Sequence, residues 1–478
     1  MSFLSRHLLP SLSSLLLLVP AATAAPVAAR LDDIPHVKQK PDFCGEACVE
    51  MWLRALGYTD TQDDVFNRSG LDAREGRGCY TRELVQACTA LGFKIDRDAV
   101  FTRIDARAPA AGLEKALAAL RADLAAGVPS IVCTRFDKSP GTTEHFRLFT
   151  GYDEAAGELI YNDPALDEGL DLRMKKEEFF DLWPLKYDTK AWTLVRIPLA
   201  PGRMDARRAK RVAPTTFTAA DYAQHILKLK GTIDLKPYHV LIEPPFVVVG
   251  NLAPDDLAVF SRQTVRWSVS LLKKSYFEKD PDRVLTIWLL KDAPSYEALA
   301  KAVAGDPPDT PYGFFSSVAD ALIMNIATGG GTLVHEIVHP FVEANIPDCP
   351  PWFNEGLGSL YEQCEERKGR IAGRTNWRLA GLQREIKDKG LPDFKTLCEY
   401  NTRAFYRGAT GDNYAQSRYL LYYLQEKELL DAFYRRFMKT RKEDPSGYEA
   451  LVETLGRPDM KTFQAQWEAW VMKLRFGR

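Results

Sequence analysis

The sequence predicts an α+β chain of two domains, each mixing strands with helices, the second the richer in helix. Three observations point there. Short apolar runs of strand character, such as Ser130–Arg135 and Arg283–Leu290, alternate irregularly with helix-periodic runs in both halves. The last hundred residues, from Trp377, are dominated by 3.6-residue periodicity, strongest in Tyr419–Phe437 and Lys461–Leu474. Between the halves lies Pro198–Thr216, which carries Pro201-Gly202 and a basic cluster (Arg203, Arg207, Arg208, Lys210, Arg211) and reads as a solvated linker.

The elements follow in order. Arg6 precedes an apolar stretch, Leu8–Val19, that is too short to span a bilayer comfortably, and Ala22-Thr23-Ala24 fits a small-residue cleavage site. Residues 1–25 are therefore expected to be a secretory signal peptide, and the mature protein to be exported, periplasmic or extracellular if bacterial. No later segment is long and apolar enough to be a membrane helix. With 478 residues, 46% apolar and 27% charged, the composition is that of an ordinary globular protein. A formal net charge of −1 provides no general field for nucleic acid or an anionic membrane. The expected domains are 31–200 and 217–478, with a linker at 201–216.

In the front half, Cys44 stands at the start of a helix whose apolar stripe is Cys48, Met51, Trp52, Ala55 and Leu56, closed by Gly57. Unpaired amides and the macrodipole at a helix start favour a thiolate, hence a nucleophile. Gln39, five residues earlier, can offer its amide to a developing oxyanion. A helix, Leu113–Ala126, leads through Gly127-Val128-Pro129 into the strand Ser130–Arg135. Two further strands, Glu144–Tyr152 and Leu159–Asn162, are joined by an acidic turn; His145 begins the first and Asp163 ends the second. In an antiparallel pair those ends are adjacent, as a base and its orienting carboxylate require. The plainer reading makes Cys44 a buried half-cystine, although four residues along a helix is poor geometry for a bridge to Cys48. His36 and His239 read as ordinary surface or satisfied histidines.

In the rear half, Tyr238–Asn251 is strand-like, Asp255–Phe277 is helical, and the strand Ala319–Ile326 runs through Gly329-Gly330-Gly331 into His335-Glu336-Ile337-Val338-His339. On a helix, residues four apart share a face, so both imidazoles can address one metal ion while Glu336 holds and deprotonates a water. Pro350 and Pro351 stop the preceding segment, and a second helix, with Leu357, Leu360 and Tyr361 periodic, can bring Glu355 in as third ligand with a fourth position open for water. Glu343 and Asp348 are rivals for that place. The plainer reading is an amphipathic helix with two solvated histidines. The eight cysteines allow bridges Cys349–Cys364 or Cys79–Cys88, or free thiols throughout.

Two family resemblances attach to these residues. Gly329–His339 and Trp352–Tyr361 resemble gluzincin metallopeptidases, with the thermolysin-like core of aminopeptidases and bacterial "peptidase MA-like" proteins, over about residues 235–475. That resemblance implies Zn²⁺ held by His335, His339 and Glu355, with Glu336 as general base and, by position, Tyr414 steadying the oxyanion. The spacing to Glu355 is slightly shorter than in the thermolysin pattern, and the aspartate that follows the glutamate there is absent. Over about 31–200, the Q-x4-C-G-x-x-C start, H-F-x-x-x-x-G-Y and N-D-P resemble papain-like cysteine peptidases of the bacteriocin-processing type. That implies Cys44 as nucleophile, His145 as base, Asp163 as orienting carboxylate and Gln39 as oxyanion donor. Arg147 departs from the pattern, occupying a usual apolar strand position, and nothing in the chain resembles the transporter to which the best-known members are joined.

The expected function is therefore an exported peptidase with a thiol centre and a zinc centre, acting on a peptide or protein and not on nucleic acid. Two alternatives stay open. The front domain can be a non-catalytic peptide- or cell-wall-binding module feeding the zinc domain, or the zinc site can be structural.

Overall fold

A computed structural model of the chain describes residues 29–204, 216–308, 310–316, 319–407, 410–456 and 459–477. The expected leader, 1–25, and most of the expected linker lie outside the described residues. Strands and helices are mixed throughout, and the described residues fall into two compact units interleaved along the chain. The first takes in 29–40, 47–58 and 88–204; the second takes in 41–46, 59–87 and the described residues from 216 onward.

Helix α1 (Cys44–Ala55) follows Asp42, whose φ of 63° turns the chain sharply ahead of the helix, and Gly57 at φ 82° closes it. In the first unit, strands β1 (Phe101–Asp105), β2 (Ser130–Arg135), β3 (Glu144–Asp153), β4 (Glu158–Asn162), β5 (Leu172–Lys175) and β6 (Ala191–Pro198) form one antiparallel sheet in the order β1-β6-β2-β3-β4-β5. Ala29–Arg30 pairs with the far end of β3. The expected hairpin is there: Leu148 lies opposite Asn162, and a bulge at Phe149/Gly151 shifts the register towards the turn. Helix α2 (Pro109–Ala125) lays Leu113, Leu117, Leu120 and Leu124 against this sheet. Phe149, Phe179 and Trp183 stack in series beside them, with ring centroids 5.0 and 4.6 Å apart.

The second unit is built on a five-stranded sheet, β7 (His239–Glu243), β8 (Phe246–Gly250), β9 (Leu285–Leu290), β10 (Gly313–Ser316) and β11 (Ala321–Asn325), in the order β7-β8-β9-β11-β10. The central strands β8, β9 and β11 run parallel and are wholly buried, which is why FVVVG, LTIWLL and ALIMN read as unbroken apolar runs. The outer strands β7 and β10 are antiparallel to their neighbours. The strand expected over Tyr238–Asn251 is thus a hairpin, turned at Pro244-Pro245 where two prolines cannot donate to a ladder. The expected helix Asp255–Phe277 is interrupted by a wider π-turn over Ser261–Arg266. The run Tyr419–Phe437 is two helices, parted at Glu428 with φ 58°.

From β11 the chain passes a turn capped by the Asn325 side chain, reaches Gly329 at φ 102°, and enters α3 (Gly331–Asn345). Helix α4 (Pro351–Leu360) starts at its proline, earlier than the periodicity suggested, because proline is suited to a first helical position whose N–H has no partner. Glu355 therefore sits inside α4. Helices α5 (Thr402–Arg407) and α6 (Thr410–Glu426) follow, and α6 packs along α4. Gly356 permits that approach, since a Cβ there would lie 3.1 Å from both Ser417 Cβ and Leu421 Cδ1.

The start of α3 is equally close to the turn after α4: a Cβ on Gly331 would lie 2.2 Å from the Glu362 carbonyl oxygen. Backbone cannot yield as a side-chain tip can. Gly331→Ala is expected to lower stability by about 1–3 kcal/mol, read as a reduced urea midpoint with an unchanged slope.

Candidate functional site

In the second unit, α3 and α4 bring His335, His339 and Glu355 together, one ligand atom from each within 4.8 Å of the others. His335 Nε2 stands 3.2 Å and His339 Nε2 3.8 Å from Glu355 Oε2. The far nitrogens face away from this point: His339 Nδ1 lies 2.9 Å from Asn354 Oδ1, and His335 Nδ1 lies 3.3 Å from Glu362 Oε1. Asn354 Oδ1 and a carboxylate only accept, so each Nδ1 faces an acceptor while each Nε2 is the ring nitrogen turned towards Glu355. Gly358 makes room for the His335 ring, three atoms of which would lie 3.2 Å from an added Cβ.

Glu355 is 5% exposed, and its Oε2 is buried with no hydrogen bond. Oε1 accepts from the Tyr406 hydroxyl of α5. Burial would raise the Glu355 carboxyl, but His335 beside it and then the His339 charge hold it at about 2. Burial likewise opposes charge on His335, yet Glu355 and Glu362 overcome it and push the imidazole up to about 10. Tyr414 lies with its ring 6.3 Å from His335 at 23°, and burial followed by the Glu355 charge drives its phenol well above the usual range. It stays a donor. Glu336, half-buried on α3, lines a cleft of about 590 Å³ together with His335, Tyr414, Arg378 and the glycines Gly329–Gly331. Glu343 and Asp348 are exposed and stand outside the cluster; Glu343 faces Arg283 at 3.9 Å.

In the first unit, His145 and Arg147 lie two apart on β3 and so share a face. Both reach Asp163, just beyond β4. His145 Nε2 is 2.7 Å from Oδ1, Arg147 Nε is 2.8 Å from Oδ2, and Ala165 N donates to Oδ1 at 2.9 Å. The ionised Asp163 carboxylate can only accept, so Nε2 is the ring nitrogen of His145 turned to donate to it. Burial would raise the Asp163 carboxyl, but His145, Arg147 and the Ala165 amide hold it at about 2. Gln39 is pinned beside this strand end by its main-chain N–H, 2.9 Å from Pro164 O, and its Oε1 is buried without a hydrogen bond. His36 has a partner that the sequence did not suggest: its Nε2 lies 2.9 Å from Asp163 O. Cys44, which belongs to the second unit, is half-exposed at the first position of α1; in the first unit the buried Cys48 thiol donates to Phe146 O at 3.6 Å. All eight cysteines are thiols, so neither Cys349–Cys364 nor Cys79–Cys88 is a disulfide, and Cys44 is no half-cystine.

Residues 31–190 match the model of the Peptidase_C39 like family. The front domain is a C39-like peptidase domain. The chain thus carries a peptidase, in agreement with the resemblance read from Gln39, Cys44, His145 and Asp163. The C39-like domain is also similar to a crystal structure of the peptidase domain of Streptococcus ComA, described as a bi-functional ABC transporter involved in a quorum-sensing pathway. That likeness is 21% identical, covers 35% of this chain and 99% of the other, and has a TM-score of 0.24. No curated protein matches the chain. The family model ends before the H-E-x-x-H helix.

Sequence reasoning missed Tyr406, Glu362 and the use of Arg147. Only Arg147 left a signal, as a charge at an apolar strand position; beyond Asp163 it also reaches Arg135 O at 3.2 Å and Phe136 O at 2.8 Å. Since the Asp163 carboxyl is depressed from 3.8 to about 2 in the fold, its contribution is complete above about pH 4 and is lost as pH falls towards 2. Asp163→Asn is expected to flatten the stability curve across that window and to cost on the order of 2 kcal/mol at neutral pH, measured by denaturant unfolding at a series of pH values. A curve with the wild-type acid slope would count against the charged triple.

Proposed function

We propose that the chain is an exported peptidase with two hydrolytic centres, a Cys-His-Asp thiol centre in the C39-like domain and a gluzincin-like zinc centre in the second unit. The observation that carries the second centre is the convergence of two imidazole Nε2 atoms on a buried carboxylate oxygen with no hydrogen bond of its own. Two nitrogens and one carboxylate oxygen are a donor set that suits Zn²⁺, so His335, His339 and Glu355 would hold it. When bound, the ion would supply Lewis acidity, easing loss of a proton from water and polarising the scissile carbonyl. A buried His335 and Glu355 that otherwise share charge are then matched by a cation.

The chain's own groups complete the chemistry. Glu336, in the same cleft, takes the proton of the attacking water and returns it to the leaving amine, so that peptide and water become acid and amine. Tyr414 donates to the oxygen on which charge develops. Tyr406 holds the second oxygen of Glu355. β10 is the outer strand of its sheet, and Thr310 and Tyr312 just before it line the cleft. Among the described residues no further strand pairs with its outer edge, which suits an extended peptide.

In the C39-like domain, the Cys44 sulfur attacks the carbonyl while His145 Nδ1 takes the thiol proton. The amine leaves with that proton, and water then releases the acyl group. Gln39 supplies an amide to the oxyanion, and Asp163 keeps His145 in its working tautomer. Export is supported by the leader-like residues 1–25, and no helix among the described residues is long and apolar enough to cross a membrane.

Purified protein is expected to hold about one zinc per chain. Glu336→Gln should lower the phenanthroline-sensitive cleavage of a peptide library by about 10²–10⁴-fold and spare the iodoacetamide-sensitive part. Cys44→Ala should do the reverse. A protein without bound metal whose activity ignores phenanthroline would remove the zinc centre. If Cys44→Ala cleaved every peptide at the wild-type rate, the front domain would instead be a binding module.

A further inference from the structure

The first turn of α1 contains a carboxyl that neither centre uses. Glu46 lies two residues after Cys44 and is wholly buried. Its Oε1 accepts from the Cys79 main-chain N–H at 2.8 Å, and its Oε2 is buried without a hydrogen bond. The titratable groups beside it are Asp42, a like charge, and the buried Cys79 thiol. Among the described residues no cation pairs with Glu46; Arg77, two residues before Cys79, is turned to Glu83 at 2.9 Å. Burial therefore pushes the Glu46 carboxyl up to about 7, against the pull of the Cys79 amide.

The neighbours of Cys44 are anchored to the same stretch of chain. Asp42 Oδ2 accepts from Gly78 N at 2.8 Å, and Phe43 stacks on Phe66 with ring centroids 5.0 Å apart. Position 78 has no room for a side chain, because a Cβ there would run into the Asp42 carbonyl. Glu83 pins the residues on either side, accepting from Arg77 at 2.9 Å and from Tyr80 N at 3.0 Å. Gly78 and Cys79 thus present two successive amides, one to Asp42 ahead of Cys44 and one to Glu46 behind it.

We propose that Glu46 is a positioning residue of the thiol centre, its neutral carboxyl tying the first turn of α1 to the Cys79 amide without setting a charge beside Cys44. The inference rests on the reading of Cys44 as nucleophile. A thiolate at a helix start draws on the unpaired amides and the macrodipole, and its attack creates an oxyanion close by. A buried anion in the same turn would oppose both, with little water between to screen it. A neutral acid still offers a carbonyl oxygen to the amide. Leaving Oε2 unbonded also costs it less than it would cost a carboxylate. As pH rises through about 7 the carboxyl ionises, and the same side chain then works against the thiol.

The test follows iodoacetamide-sensitive cleavage of one fluorogenic peptide by the full chain, with phenanthroline present, between about pH 6 and 8. Glu46→Ala is expected to lower kcat about 10- to 100-fold with KM little changed. Glu46→Gln keeps an acceptor and lacks the charge, so it should restore the kcat lost in Glu46→Ala. Its rate relative to wild type should climb about threefold or more across that range. Exposed Glu75→Gln should follow wild type throughout. If Glu46→Ala does not fold, the pH dependence of the Glu46→Gln ratio decides. A folded Glu46→Ala with wild-type kcat, a Glu46→Gln as slow as Glu46→Ala, or a ratio level with pH overturns the inference alone. A Cys44→Ala chain that keeps the iodoacetamide-sensitive cleavage, or a wild-type chain that has none, overturns the reading of Cys44 on which it rests.

Discussion

Glu355 is 5% exposed, and a carboxylate so buried must be met on every side or it will take up a proton. Much of the second unit follows from meeting it. Two imidazoles from α3 approach one oxygen, and a phenol from α5 closes on the other. Those approaches need α3 and α4 to lie close together, which Gly331 and Gly358 allow by leaving out Cβ atoms where backbone and the His335 ring pass. The same carboxylate dictates the burial of Glu362, because an imidazole that faces one anion can face a second across its ring only if that second charge is itself neutralised. Arg378 does this. The result is a chain of alternating charge, Glu355, His335, Glu362, Arg378, running from the buried cluster to the wall of the cleft. Removing any one member strands its neighbours, which is why such chains resist piecemeal change.

The first unit solves the same problem with a different set. Asp163 is 2% exposed and is matched by one imidazole, one guanidinium and one main-chain N–H. Here the partners come from a single strand, since His145 and Arg147 alternate onto one face of β3, and register with β4 delivers the carboxylate to them. A sheet fixes such positions more tightly than a loop can, so both partners meet the carboxylate in set positions.

The parts of both clusters that were legible in the sequence are those set by local geometry. Four residues along a helix place His335 over His339, and two strands joined by a short turn bring His145 to Asp163; neither needs knowledge of the rest of the chain. Glu355 was readable because the next helix carries it. Tyr406 lies 51 residues from Glu355, and no spacing marks it; position after the motif selects Tyr414, which lies against His335 while Tyr406 makes the direct bond. Glu362 and Arg378 were hidden for the same reason, each meaningful only once a turn and a later helix close on α3. Helix breaks at Ser261–Arg266 and Glu428 were invisible because apolar periodicity passes through them undisturbed. The C39-like domain was legible from four residues and their neighbours, whereas its Arg147 looked like an error in a strand.

That apparent error is where the Asp163 cluster departs most from a carboxylate matched by a histidine alone. A histidine alone would neutralise Asp163 only while it is itself protonated. A guanidinium keeps its charge at every working pH, so the Arg147 bond to Oδ2 persists whichever state His145 occupies. The carboxylate then has no need to draw the imidazole proton towards itself to remain ionised. Arg147 is in turn held by the carbonyls of Arg135 and Phe136 at the end of β2, so the charge is anchored to the sheet and not to the reacting groups. An apolar residue at this position would pack the strand as well, but it would leave the buried Asp163 carboxylate without its permanently charged partner.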